Sequence, residues 1–189
     1  MPVDDARRWD QRYLQDERFR TYSQPRPFLL EAARWLPGRG LALDVAMGLG
    51  GNAAFLVERG LNVVGVDISG VALRQAKKRL PHLMAVQADL DQFGMPPETF
   101  DVILNFYFLQ RGLWHLYRHW LHPGGIIIIE TLTQPTLEYQ PDIDPQYLLQ
   151  PNELLEAFSD MEVLVYREGE STTRSGRTRA VASMVARLG

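Results

Sequence analysis

The chain has no cysteine, which excludes disulfides, a thiolate nucleophile and thiolate-ligated metal. It also lacks any apolar run near the roughly 20 residues that a membrane span needs; its longest stretches, such as Val102–Leu109, stop far short. The opening MPVDDARRWD has no apolar core of the kind a secretion signal requires, so a soluble cytoplasmic protein is expected. Excess positive charge is missing too. Net charge is −3 and the isoelectric point about 5.8, which disfavours nucleic acid or an anionic membrane as partner. Lysine is reduced to Lys77 and Lys78, and no function attaches to that scarcity. No repeat or low-complexity tract interrupts the 189 residues, 46% of them hydrophobic. One domain over residues 1–189 is expected.

What is present is an alternation of short apolar runs with helical patterns. Leu41–Ala46, Asn62–Asp67, Leu83–Ala88, Phe100–Phe106 and Gly125–Thr131 read as strands buried on both faces. Asn52–Arg59, Gly70–Arg79 and Gly112–His119 read as the helices between them, which makes a βαβ rhythm and a parallel sheet with helices on both sides. Arg7–Arg20 and Pro27–Trp35 predict two helices ahead of the first strand. After Thr131 the rhythm changes. Leu132–Gln150, with Pro135, Pro141 and Pro145, reads as a long loop, and Pro151–Phe158 as a short helix beginning near Asn152. Met161–Arg167 and Arg179–Arg187 flank the turn-rich Glu170–Gly176 as an antiparallel hairpin.

Between the first strand and its helix lies Gly48-Leu49-Gly50-Gly51-Asn52-Ala53, which satisfies G-x-G-x-x-G/A. By itself it fits a ligand-free turn, a dinucleotide or another nucleotide-type cofactor. The acids around it discriminate. Asp44, four residues before the first glycine, would crowd a pyrophosphate but suits an ammonium, such as that of the methionine moiety of S-adenosylmethionine. Asp67 ends the second strand, where a carboxylate accepts both ribose hydroxyls; NAD sites use an acid there as well. Asp89, after the third strand, is placed for an adenine amino group.

Asp44-x-Ala46-x-Gly48-x-Gly50, Asp67, Asp89, FDVILNFY and LHPGGIIIIE together resemble the successive motifs of class I S-adenosylmethionine-dependent methyltransferases over Leu41–Thr131. RRWDQRY near the start and YLLQPNELLEAFSDMEVLVYREG near the end are similar to the small tellurite-resistance (TehB-like) and thiopurine-type branch. Met47 and Gly51 depart from the cysteine and arginine frequent there, which bears on the acceptor and not on the cofactor. The resemblance implies an α/β, Rossmann-like three-layer sandwich. Its mostly parallel seven-stranded sheet would have order 3-2-1-4-5-7-6 and an antiparallel last strand. It implies S-adenosyl-L-methionine as cofactor, S-adenosyl-L-homocysteine as product, and a cofactor site of Asp44, Ala46, Gly48, Gly50, Asn52, Asp67, Ile68, Asp89, Leu90 and Asn105.

For the reacting end the candidates are Tyr107, Arg111 and His115. Asn105 and Tyr107 follow the fourth strand, where polar tips reach the ligand crevice; Phe106 and Phe108 serve equally as core. NFYF is not the D/N-P-P-Y/F motif of nucleic-acid and protein N-methyltransferases. His115 and His119 share one helix face, but surface histidines near a helix C-terminus explain them as well as a metal does, and no metal is assigned. Trp9, Tyr13 and Tyr22 bury one face of the first helix or mark residues 1–36 as a lid, with Tyr139 and Tyr147 in the substrate-side loop 132–150 as the opposite wall.

The expected activity is methyl transfer to a small molecule. The acceptor would be a thiol, a chalcogen oxyanion or a similar soft nucleophile, because no obvious general base follows strands four and five. Alignment of donor and acceptor can supply up to about 7–11 kcal/mol of such a barrier. An NAD(P)-dependent oxidoreductase and a non-catalytic S-adenosylmethionine-binding subunit remain the alternatives, and monomer and homodimer are both open.

Overall fold

A computed structural model describes residues 2–15, 23–173 and 176–189. Seven strands form one sheet: β1 (Gly40–Val45), β2 (Leu61–Asp67), β3 (Met84–Gln87), β4 (Phe100–Phe106), β5 (Leu121–Leu132), β6 (Glu162–Thr172) and β7 (Thr178–Arg187). Their order is β3-β2-β1-β4-β5-β7-β6. β1 to β5 run parallel, and β7 is antiparallel to both β5 and β6. This is the Rossmann-like order that the resemblance implies.

The sheet is apolar on both faces because successive side chains point to opposite sides. On β4, Val102, Leu104 and Phe106 enter one hydrophobic cluster and Ile103 the other. The first cluster is roofed by Phe28 and Leu29 of α2 (Pro27–Glu31), Ala53 and Leu56 of α3 (Gly51–Glu58), and Leu73 and Ala76 of α4 (Gly70–Arg79). The second is roofed by Tyr117 and Trp120 of α5 (Trp114–Trp120), and by Leu154 of α6 (Glu153–Ala157) with Phe158. Three layers result. α4 starts sharply because the Ser69 hydroxyl accepts from the Ala72 N–H at 3.1 Å, satisfying one of the free donors of the first turn.

Several boundaries move. The helix expected over Gly112–His119 is a 3-10 turn at Arg111–Leu113 followed by α5, and the one over Pro27–Trp35 ends in a 3-10 turn at Ala32–Trp35. β5 and β6 are longer than expected, since Leu121 already pairs with Phe100 of β4 and β6 pairs with β7 out to Thr172. The loop 132–150 holds two 3-10 turns, Gln134–Glu138 and Pro145–Tyr147, and is pinned by the Thr133–Leu149 bridge. The first helix, α1, covers Pro2–Gln15; residues 16–20 of the expected Arg7–Arg20 helix, Tyr22, and Arg174 and Ser175 of the hairpin turn lie outside the described residues.

Candidate functional site

β1 and β4 are neighbours, and the helices that follow them lie on opposite faces of the sheet, so the chain parts at the carboxyl ends of these strands. A crevice belongs there, and a cleft of about 1530 Å³ occupies it. That exceeds the roughly 300–1,000 Å³ of an ordinary single-ligand pocket, so a cofactor and an acceptor fit side by side. Trp9, Arg12 and Tyr13 of α1 form part of its wall, with Gln24–Phe28, Tyr139–Ile143, Tyr147 and the β6–β7 hairpin.

The strand ends on one side are acidic. Asp44 is buried; Asp67 is 5% exposed; Asp89 is half-buried; all three line the cleft, as do Ala46, Gly48, Asn52, Ile68 and Leu90. The Asp67 carboxylate accepts from the Gly48 N–H at 2.7 Å and from the Ser69 N–H at 2.8 Å. A carboxylate has about four lone-pair positions, which leaves two for a diol. One oxygen of Asp44 is buried with no hydrogen-bond partner among the described residues. Burial drives the Asp44 pKa well above its ordinary value, against the Ala53 N–H, which lowers it. Asp67 is raised as well, chiefly by burial and against the backbone N–H groups of Ser69, Gly48 and Ile68. A buried carboxyl with an unmet oxygen is the partner a cationic ammonium requires.

The glycines earn their places differently. Gly48 has φ +59° and Gly50, which caps α3, has φ +70°, both in the left-handed region that favours glycine. A side chain on Gly48 would meet the Tyr13 hydroxyl of α1 at 2.7 Å, and one on Gly51 would meet the Gln24 carbonyl oxygen at 2.4 Å. Thus Gly51, which also lines the cleft, admits the N-terminal segment. That segment is tied in twice more: the Arg26 N–H donates to Asn52 Oδ1 at 2.9 Å, and Asp10 accepts from Ser69 Oγ at 2.5 Å and the Val71 N–H at 3.0 Å.

Four expected site residues are not on the cleft wall. Gly50 packs toward Ala76 of α4 instead. Asn105 is buried on the α5 side of the sheet, where its amide donates to the Tyr117 hydroxyl at 2.9 Å. The reason is the period of two: Leu104 and Phe106 face the α3 side of the sheet, so Asn105 faces the α5 side beneath Tyr117. Arg111 is a brace, donating to both carboxylate oxygens of Glu153 and to the carbonyls of Gln146 and Leu148. His115 is exposed on α5, away from the cleft. Among the described residues no group of three or more His, Cys, Asp or Glu is arranged to hold a metal.

Tyr107 does line the cleft, with φ +59°, and it stands in a cluster that sequence reasoning missed. Its hydroxyl donates to Glu130 Oε1, Ser183 Oγ donates to Glu130 Oε2 at 2.8 Å, and Arg179 Nη2 donates to the Tyr107 oxygen. The guanidinium groups of Arg26 and Arg179 lie 4.8 and 4.2 Å from the Tyr107 ring centroid, a cation–π distance. Burial foremost, then the Glu130 charge, pushes the Tyr107 pKa far above its ordinary value. It therefore remains a donor and is no base. Register carried the missing signal: Phe106 pairs with Glu130 and Glu130 with Ser183, in one row across β4, β5 and β7.

Comparison with known proteins points to methyltransferases. Residues 42–125 match the family model of a methyltransferase domain. A trans-aconitate 2-methyltransferase of Rhodopseudomonas palustris (strain BisB5) is 34% identical over 126 residues, 64% of this chain and 48% of that protein. A malonyl-[acyl-carrier protein] O-methyltransferase of Enterobacter lignolyticus is 30% identical over 110 residues, 54% of this chain and 43% of that protein. The chain thus spans about half the length of the curated relatives it matches. The structure of TehB from Haemophilus influenzae aligns with TM-score 0.73 and 19% identity over 96% of this chain and 67% of the other, a likeness of fold.

Proposed function

We propose that the chain is a single S-adenosylmethionine-dependent methyltransferase domain acting on a small molecule. The observation that carries this is the buried, unpartnered Asp44 oxygen beneath the Gly48 loop, beside Asp67 and the half-buried Asp89. Asp44 holds the ammonium of the methionine moiety, Asp67 the ribose hydroxyls and Asp89 the adenine. Gly48, Ala46, Asn52, Ile68 and Leu90 form the surrounding wall. A dinucleotide would set a pyrophosphate against Asp44, whose charge repels it. When bound, the cofactor supplies an electrophilic methyl group; this chain aligns the acceptor and excludes water from it.

Neither group at the ends of β4 and β5 is a free base: Tyr107 is held protonated, and Glu130 already accepts two hydroxyl donors. An acceptor that arrives as an anion needs none. Thiolates and chalcogen oxyanions meet that condition, as the TehB-like resemblance implies, and the trans-aconitate methyltransferase relatives add organic acids to the set. α1 and the loop 132–150 serve as lid and substrate-side wall. The setting is the cytoplasm. No helix among the described residues is long and apolar enough to cross a membrane.

Calorimetric titration tests the cofactor. S-adenosylmethionine and S-adenosylhomocysteine should bind, and NAD(H) and NADP(H) should not. Tighter binding of a nicotinamide dinucleotide would overturn the proposal. Turnover is tested separately by release of S-adenosylhomocysteine across thiols, chalcogen oxyanions and organic acids, since binding without turnover describes a regulatory subunit.

A further inference from the structure

The glycine loop and the segment ahead of α2 share one cation. α4 ends in Lys77, Lys78 and Arg79. Lys77 donates to the Pro81 and Leu83 carbonyls just downstream. Arg79 reaches two distant parts of the chain instead. Its Nη2 donates to the Leu49 carbonyl and its Nη1 to the Ser23 carbonyl, the latter at 3.2 Å. Leu49 belongs to the cleft wall, and Ser23 leads into Gln24–Phe28, another part of that wall, while Arg79 itself stands outside the cleft.

The peptide held at Leu49 is a soft one. In a trans peptide the C=O and the N–H point in opposite directions. Between Leu49 and Gly50 the N–H donates to the Met47 carbonyl at 3.2 Å, and the C=O meets Arg79. Gly50, at φ +70°, adopts either sign of φ at little cost, so this peptide turns over readily unless its carbonyl is held. Reversed, it would set the Leu49 carbonyl against the Met47 carbonyl and break the turn that seats Gly48. The consequence reaches Asp67, whose Oδ2 accepts from the Gly48 N–H. The Ser23 end matters equally, because residues 23 and 24 rest on Gly51, where a side chain would meet the Ser23 carbonyl carbon at 2.8 Å.

We propose that Arg79 is a positioning residue of the cofactor site: from outside the cleft its guanidinium clamps the glycine loop to the N-terminal wall and holds the loop in its cofactor-binding form. This rests on the methyl-transfer function proposed above and adds a residue to the machinery of the same site. A guanidinium suits the task because Nη1 and Nη2 are separate donors in one rigid plane, so a single side chain spans two carbonyls. An ammonium is a point charge on a flexible stem and fixes no such span.

The test uses the whole chain, titrated calorimetrically with S-adenosylhomocysteine and followed by amide exchange without ligand. Arg79→Gln should weaken binding at least about fivefold, within the scale of a lost hydrogen bond to a charged group. It should also speed exchange across Gln24–Phe28 and Leu49–Asn52 while β4 and β5 exchange as in the wild type. Arg79→Lys keeps the charge without the span and should stay within about twofold of Arg79→Gln. Lys78→Gln removes the same charge from the same helix end and should bind like the wild type. Wild-type affinity in Arg79→Gln, full recovery in Arg79→Lys, or an equal loss in Lys78→Gln would each overturn the clamp. So would exchange that rises uniformly across the sheet, the mark of a general loss of stability. Failure of the wild type to bind S-adenosylhomocysteine would instead overturn the methyltransferase function, while exchange at Leu49–Asn52 in Arg79→Gln would still read the clamp.

Discussion

The Gly48 N–H donates to Asp67 Oδ2 at 2.7 Å, so the glycine loop after β1 is held by the last residue of β2. The other oxygen of Asp67 accepts from the Ser69 N–H at 2.8 Å. One carboxylate thus shapes the loop, starts α4 and keeps lone pairs for a ligand. Asp67→Asn retains the outline but turns one acceptor into a donor facing an N–H. It should weaken S-adenosylmethionine by about 1.5–3 kcal/mol, the scale of hydrogen bonds to a charged group. Calorimetry on the folded variant checks this, and equal affinity would remove Asp67 from the cofactor site.

Asp44 makes cofactor binding dependent on pH. Burial raises the pKa of Asp44 and of Asp67 from the ordinary 3.8. For a raised acid, folding favours the protonated form. The stability this contributes is complete below 3.8 and is lost as pH rises through the raised folded value. Asp44→Asn should therefore raise the ligand-free thermal midpoint at pH 7 and flatten its dependence on pH above the ordinary carboxylate range. The same substitution should weaken S-adenosylmethionine roughly tenfold or more by removing the charge that meets the ammonium. In the wild type, binding should release a proton at pH values where free Asp44 is protonated, read as a binding heat that changes with the buffer's ionisation enthalpy. A variant that is no more stable and binds equally well would refute the pairing.

The sheet and the glycine loop were legible because their signals are local. Runs such as Phe100–Phe106, buried on both faces, declare strands, and Gly48 and Gly50 mark a turn that needs left-handed backbone. Asn105 lies off the cleft for a reason the sequence also carries: with Val102 and Leu104 on one face, the period of two sends Asn105 to the other. Arg179 was harder. It reaches Tyr107 only because β7 pairs with β5 in the register that sets Ser183 against Glu130, 53 positions apart. A slip of one residue would turn Arg179 to the opposite face, and one sequence does not specify that register. Arg111 misled for a related reason: its partners, Glu153 and the carbonyls of Gln146 and Leu148, arrive from a later segment.

Asn105 and Arg111 should behave as structural residues. Asn105→Ala leaves the Tyr117 hydroxyl buried without its partner, and burial already raises that phenol's pKa. A loss of about 1–3 kcal/mol in unfolding free energy is expected, with S-adenosylmethionine affinity unchanged. Arg111→Ala removes a half-exposed ion pair and two carbonyl contacts. Since exposed pairs contribute about 0–1 kcal/mol, its cost should stay near 1–2 kcal/mol. Urea unfolding alongside a cofactor titration separates stability from binding, and a specific loss of cofactor affinity would return either residue to the site.

His115 should be dispensable for chemistry. It is exposed on α5 and away from the cleft wall, so it has no route to a proton on the acceptor. A positioned general base contributes about 10²–10⁴-fold. With the acceptor identified, His115→Ala should lower kcat less than about twofold, well below that range. The pH–rate profile should follow the acceptor's own ionisation. A limb near pH 6.5 that disappears in the variant would restore His115 as the base.

The last prediction concerns α1. Its face toward the core of the site is small: Trp9, Arg12 and Tyr13 line the cleft, and Asp10 holds the start of α4 through Ser69 Oγ and the Val71 N–H. Tyr13 lies so close to Gly48 that the loop and the helix share one space. A short helix at the rim of a cleft opens more readily than the strands of the sheet, and a cleft that must exclude water needs such a cover. Cofactor beneath α1 would add contacts that the open form lacks, so binding should close it. Amide exchange across Arg7–Gln15 should therefore be fast without ligand and at least about tenfold slower with S-adenosylhomocysteine, a shift that needs only about 1.4 kcal/mol of coupling. Asp10→Ala should raise the ligand-free exchange rate and cut the protection gained on binding, while β4 and β5 exchange as in the wild type. If Arg7–Gln15 is equally protected in both states and Asp10→Ala changes neither, α1 is fixed packing and closes over nothing.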